Sequence, residues 1–152
     1  MPLTFFCCAL CAPRCVLCLR YGHEGAHFLS KRTMAWFSAQ YCPDRALVHT
    51  ARMSPLCAES LSGLPPALVL VAEHDVLKDE GVAYARQLAK AGCAVTLRGY
   101  QRVPHGFLSM RLMFPTQHDV AVADIAQFLR FRATLRELGY HPHGANGDDT
   151  EA

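Results

Sequence analysis

The chain has 152 residues, 51% of them apolar and 18% charged, with a formal net charge of +2. That composition suits one globular domain with a real core and excludes a disordered chain. The basic residues are scattered without interleaved aromatics, which argues against a nucleic-acid partner, and no apolar run approaches the roughly 20 residues that span a bilayer.

Residues 1–20 form a Cys-rich apolar segment in which Cys7, Cys8, Cys11, Cys15 and Cys18 crowd together, whereas Cys42, Cys57 and Cys93 stand singly. A secreted disulfide scaffold would spread its cysteines through the fold. The stretch Leu3–Leu10 is as apolar as a signal-peptide core but has no positive region before it, and Arg14 and Arg20 follow closely. The reading therefore favours the cytoplasm over secretion. Cys8/Cys11 and Cys15/Cys18 make two C-x-x-C pairs only three residues apart. That gap strains a tetrahedral zinc cage and does not fit the bacterial ferredoxin run, so no metal is expected. A buried strand near Cys15–Leu19, or an abnormal start of the sequence, accounts for the segment instead.

Ser30 is a good N-cap for a helix over Lys31–Tyr41, with Met34, Phe37 and Tyr41 on one face, Trp36 widening it, and Pro43-Asp44 ending it. Residues 42–66 read as loop, with Pro43, Pro55, Gly63, Pro65 and Pro66. The run Ala67–Ala72 (ALVLVA) predicts a strand buried on both faces, as in a parallel sheet. A helix follows over about Asp79–Ala91, with Asp79 and Glu80 in its acidic first turn and Val82, Ala85, Leu88 and Ala89 as its buried stripe. Alternation in Ala94–Tyr100 predicts a second strand. A last helix covers about Gln117–Leu138, with a core face of Ala121, Ile125, Phe128 and Leu129. The polar residues 139–152 are expected to be a disordered tail.

Strand, helix and strand within about thirty residues make one βαβ unit, with a right-handed crossover and parallel strands. Asp75 falls just past the first strand and His105 in the loop after the second, so both belong to the carboxyl edge where open α/β sheets bind ligands. Neighbouring strands lie about 4.8 Å apart, close enough for the two loops to bring carboxylate and imidazole together. The carboxylate would fix the imidazole tautomer and leave Nε2 free as a general base. The bland alternatives are a turn or cap aspartate and an ordinary His-Gly turn.

The segment GLPPALVLVAEHDVLKDEGVAYARQLAKAGCAVTLRGYQRVPHGFLSM, preceded by Ser54-Pro-Leu and by EGAHFLSKRTMAWFSAQYCPD, resembles the C-terminal part of hormone-sensitive-lipase-like α/β-hydrolase esterases. The resemblance covers roughly residues 15–138 and rests on the E-x-D-x-L-x-D-E-G and H-G-F blocks. It implies a partial α/β-hydrolase fold over 21–138, with residues of about 21–60 in part of a cap. It further implies Asp75 as triad acid, His105 as triad base, a small-molecule ester substrate, and neither metal nor organic cofactor. Phe107 and Leu108 would pack beneath the histidine loop. Met34, Trp36 and Phe37 would line an acyl pocket or simply belong to the core. Glu73 and His74 flank the strand end, His74 as a rim or packed residue. His23, His27, His49 and His118 lack metal-ligand spacing, and His141 and His143 fall in the tail.

The family's nucleophile sits on a G-x-S-x-G elbow beside an H-G-G-G-type oxyanion loop. Neither motif occurs in these 152 residues, and none of Ser30, Ser38, Ser54, Ser60, Ser62 and Ser109 has glycines two positions to each side. The cysteines offer no elbow either. The expectation is therefore a carboxylic-ester hydrolase fragment that supplies the acid and base of a Ser-Asp-His triad and is inactive alone. The rival expectations are a non-catalytic binding or interaction module, self-associating through an exposed sheet edge, and a truncated gene product without a function of its own.

Overall fold

The computed structural model describes residues 29–139; the Cys-rich 1–20 segment, His23, His27 and the tail from residue 140 lie outside them. Helix α1 spans Lys31–Tyr41. Ser30 caps it as the sequence predicts, its hydroxyl accepting the Thr33 N–H at 3.1 Å. Only part of the expected apolar face is buried. Met34 packs with Leu29 and Leu77, while Trp36, Phe37 and Tyr41 are exposed. The connection to the sheet contains two short 3₁₀ turns, Arg45–His49 and Pro55–Cys57. It is pinned by polar contacts: the Asp44 carboxylate accepts the Ala46 N–H at 2.9 Å, and the buried Ser54 hydroxyl donates to the Val48 carbonyl at 2.6 Å.

Strand β1 (Ala67–His74), helix α2 (Lys78–Lys90) and strand β2 (Val95–Pro104) form the expected βαβ unit, with the two strands paired in parallel. The apolar run of β1 is not buried on both faces. Val71 and Ala72 are buried, whereas Ala67–Leu70 are half-buried, because the described sheet has two strands and covers β1 incompletely. Helix α2 buries Ala85 and Leu88 and half-buries Val82, but Ala89 points outward. The inward face is instead extended by Glu80, which is 1% exposed rather than sitting in solvent at the helix start. Helix and strand approach closely at Gly81. A β-carbon built there would lie 2.9 Å from Val71 Cγ1, which explains a glycine in a helical turn where alanine has the higher propensity.

Helix α3 (Pro115–Glu137) returns over the sheet. Its fully buried Ala121 joins Ala72, Tyr100, Val103 and Phe107 in the main core cluster. The rest of the expected face is looser: Ile125 and Phe128 are half-buried and Leu129 is exposed. A polar tie adds direction to this contact. The Tyr100 hydroxyl donates to Asp124 Oδ2 at 2.7 Å, and Arg98 Nε lies 3.5 Å from Asp124 Oδ1.

Candidate active site

Asp75 is the first residue after β1 and His105 the first after β2, so parallel pairing puts both at one edge. Parallel pairing alone does not bring them together. The register runs regularly from Ala67 opposite Val95 to Ala72 opposite Tyr100, and then jumps so that His74 faces Pro104. Between these pairs β1 spends one residue, Glu73, and β2 spends three: Gln101, Arg102 and Val103. One step beyond the last pair, Asp75 and His105 stand opposite each other. Without the jump Asp75 would face Val103, and the histidine would lie two residues, about 6–7 Å, farther along.

The result is a contact of 2.8 Å between His105 Nδ1 and Asp75 Oδ2. The second carboxylate oxygen, Oδ1, accepts the Leu77 N–H at 2.9 Å, and the Asp75 carbonyl accepts the Lys78 N–H at 3.1 Å. Asp75 is thus a turn residue and an imidazole partner at once, one oxygen for each task. Its side chain is 12% exposed, against 33% for His105. The carboxylate is thus held in the turn while the imidazole stays more open to solvent, where a proton can be exchanged.

The histidine loop is anchored from below. Gly106 takes φ +77°, in the left-handed region that glycine adopts without strain, and starts the short 3₁₀ turn Phe107–Ser109. Phe107 is buried against Tyr100, their ring centroids 5.1 Å apart, and Leu108 packs on the same cluster. On the acid side, Leu77 and the half-buried Val76 pack with Met34, so α1 adjoins the loop that carries Asp75. Trp36 and Phe37 stand edge to face at 5.2 Å on the exposed part of that helix.

The remaining sequence candidates fall elsewhere. His74 is exposed, with Nε2 3.9 Å from Glu73 Oε2, and is not packed. Asp79 is half-buried in the first turn of α2. His118 lies beside Asp119, Nδ1 to Oδ1 at 3.0 Å, near the start of α3, and Cys93 is buried with its thiol donating to the Leu61 carbonyl. Sequence reasoning missed the bond from the Arg102 N–H to Glu73 Oε2 at 2.7 Å. From the sequence Glu73 reads only as a strand-end residue, and nothing in its immediate neighbours indicates a partner 29 residues away.

A family model described as alpha/beta hydrolase fold matches residues 14–109. The carboxylic ester hydrolase LipN of Mycobacterium tuberculosis is 51% identical over 83 residues, 54% of this chain and 22% of the relative. The ethyl acetate hydrolase of Pseudomonas putida is 44% identical over 91 residues, 60% of this chain and 28% of the relative. The chain therefore spans about a quarter of the length of these relatives. Among solved structures, an esterase of Pyrobaculum calidifontis superposes with a TM-score of 0.71 at 34% identity, covering 82% of this chain and 40% of that one. Brefeldin A esterase, a bacterial homologue of human hormone-sensitive lipase, gives 0.67 at 37% identity, with 71% and 31% covered. The parallel βαβ unit, the motif blocks and these matches agree, and the chain belongs to the α/β-hydrolase fold family, where its relatives are hormone-sensitive-lipase-like esterases.

Proposed function

We propose that these residues supply the acid and base of a Ser-Asp-His triad for carboxylic-ester hydrolysis, with Asp75 as acid and His105 as base. The observation that carries the reading is the 2.8 Å contact between His105 Nδ1 and Asp75 Oδ2 at the carboxyl edge of two parallel strands. An ionised Asp75 accepts the Nδ1–H and so selects the tautomer with a free Nε2. Nε2 takes the proton of a serine hydroxyl as it attacks the ester carbonyl, and returns it to the departing alcohol. It then takes a proton from the water that attacks the acyl-enzyme and returns it to the serine oxygen as the acid departs. Asp75 keeps its charge throughout and favours the imidazolium. No metal or organic cofactor is needed for these steps.

The serine and the oxyanion donors come from outside these 152 residues, which hold neither motif. The exposed Trp36 and Phe37 on α1 suit one wall of an acyl pocket, and the substrates are short or medium acyl or aryl esters. The resemblance of residues 21–60 to a cap segment supports that placement. A non-catalytic interaction module is the second reading. Its support is the apolar surface left open on α3, where Val120, Val122, Leu129 and Phe131 are exposed, and a sheet of only two strands among the described residues.

Hydrolysis of p-nitrophenyl butyrate by the isolated chain tests the division of labour. General-base help to water is worth about 10²–10⁴-fold, well below the roughly 10⁶-fold or more of whole enzymes. With the serine and the oxyanion donors both missing from the chain, even that help has no polarised carbonyl to act on, so the isolated chain is expected to turn over substrate no faster than its His105→Ala variant. Sustained multiple turnover that depends on His105 would show a nucleophile within the chain and refute the division.

A further inference from the structure

The jump in register that sets His105 opposite Asp75 has an unusual hinge. Its middle residue, Arg102, has φ +58°, and among the described residues it alone combines positive φ with a side chain other than glycine. That region disfavours residues with a β-carbon, and arginine lacks the short polar group with which asparagine or aspartate supports it locally. The conformation must then be held from elsewhere. Glu73, the single β1 residue opposite the extra stretch, reaches across and accepts the Arg102 N–H at 2.7 Å. This bond holds the Glu73 carboxyl below the usual range, so the acceptor is ionised throughout the neutral range and the bond is charge-assisted.

We infer that Glu73 is a positioning residue: its carboxylate latches the Arg102 bulge, and the bulge places His105 opposite Asp75. The inference rests on the acid–base reading of that pair. The hydrogen bond of Glu73 goes to the Arg102 backbone rather than to Asp75 or His105, so it acts through the bulge. Loss of the latch lets β2 run on in its earlier register, which carries His105 beyond Asp75.

The tautomer of His105 reads this directly in the intact chain labelled with ¹⁵N at histidine, at a pH where the imidazole is neutral. Its resonances are assigned by their loss in His105→Ala. Wild type and Glu73→Gln, which keeps an acceptor oxygen, are expected to favour the Nδ1–H form. Glu73→Ala is expected to lower the ratio of Nδ1–H to Nε2–H roughly threefold to tenfold, as for loss of one net hydrogen bond. Adding Arg102→Gly, which adopts positive φ unaided, is expected to restore the ratio. A general loss of stability would not change the tautomer of the folded fraction. A wild-type ratio in Glu73→Ala, or no recovery in the double variant, overturns the latch. If Glu73→Ala does not fold, Glu73→Gln and the double variant must both hold the wild-type ratio, and failure of either overturns it. Asp75→Ala separates the two readings. A ratio unchanged by Asp75→Ala would sink the acid–base pair itself. A ratio that collapses there but not in Glu73→Ala would overturn only the role of Glu73.

Discussion

Gly81→Ala should destabilise the fold, although helix propensity predicts the opposite. An alanine in α2 gains at most about 1 kcal/mol over glycine. Its β-carbon, however, would sit 2.9 Å from Val71 Cγ1, on a buried strand residue whose branched side chain cannot easily turn away. Overpacking of that kind costs about 1–3 kcal/mol, leaving a net loss of about 0–2 kcal/mol. The neighbouring glycine provides a control. Gly99 pairs with Val71 across the sheet, and a β-carbon there meets Val71 Cγ2 at an ordinary 3.8 Å, so Gly99→Ala should be tolerated. Urea unfolding followed by circular dichroism measures both. A cycle with Val71→Ala isolates the clash, since removing the valine methyls should turn Gly81→Ala neutral or stabilising, with a coupling of about 1–3 kcal/mol. A Gly81→Ala protein more stable than wild type, or a coupling under about 0.5 kcal/mol, would refute the packing argument.

Other outcomes follow from the same contacts. Burial first, then the hydrogen bond and charge of Asp124, push the Tyr100 phenol well above its ordinary 10.0. The unfolded chain therefore ionises Tyr100 first, so its contribution is intact below about pH 10 and is lost as pH rises toward the folded-state value. Tyr100→Phe should flatten that alkaline decline and cost about 0.5–1.5 kcal/mol at neutral pH, and unfolding curves across pH 8–11 check both. The N-terminal cysteines should bind no stoichiometric metal. About one equivalent of zinc per chain by elemental analysis under reducing conditions, lost on replacing Cys8 and Cys11, would contradict this.

What the sequence made legible was local. The apolar run before Glu73-His74-Asp75, the acidic start of α2 and the Ser30 cap each lie within a few residues of the structure they specify, and the parallel βαβ reading put Asp75 and His105 at one edge. What stayed hidden depends on partners distant in the chain. The register jump has no glycine or asparagine to announce it, because Arg102 is held by a carboxylate 29 residues earlier. Glu80 reads from the sequence as a first-turn helix acid, and nothing local to it indicates that the packing of α2 buries it. Periodicity also overstated burial for Phe37, Tyr41, Ala89 and Leu129. An apolar stripe states which face wants cover, not whether a neighbour among the described residues provides it.

The central claim is that Asp75 and His105 act as acid and base for a serine carried outside this chain. It is tested most directly by mixing the chain with a separate segment of a related esterase that bears the G-x-S-x-G elbow and oxyanion loop, and following p-nitrophenyl butyrate through many turnovers. The account predicts activity only in the mixture, lowered by roughly 10³-fold or more in His105→Ala and, through the wrong tautomer, by a similar order in Asp75→Asn. Turnover in the mixture that survives both substitutions would contradict it.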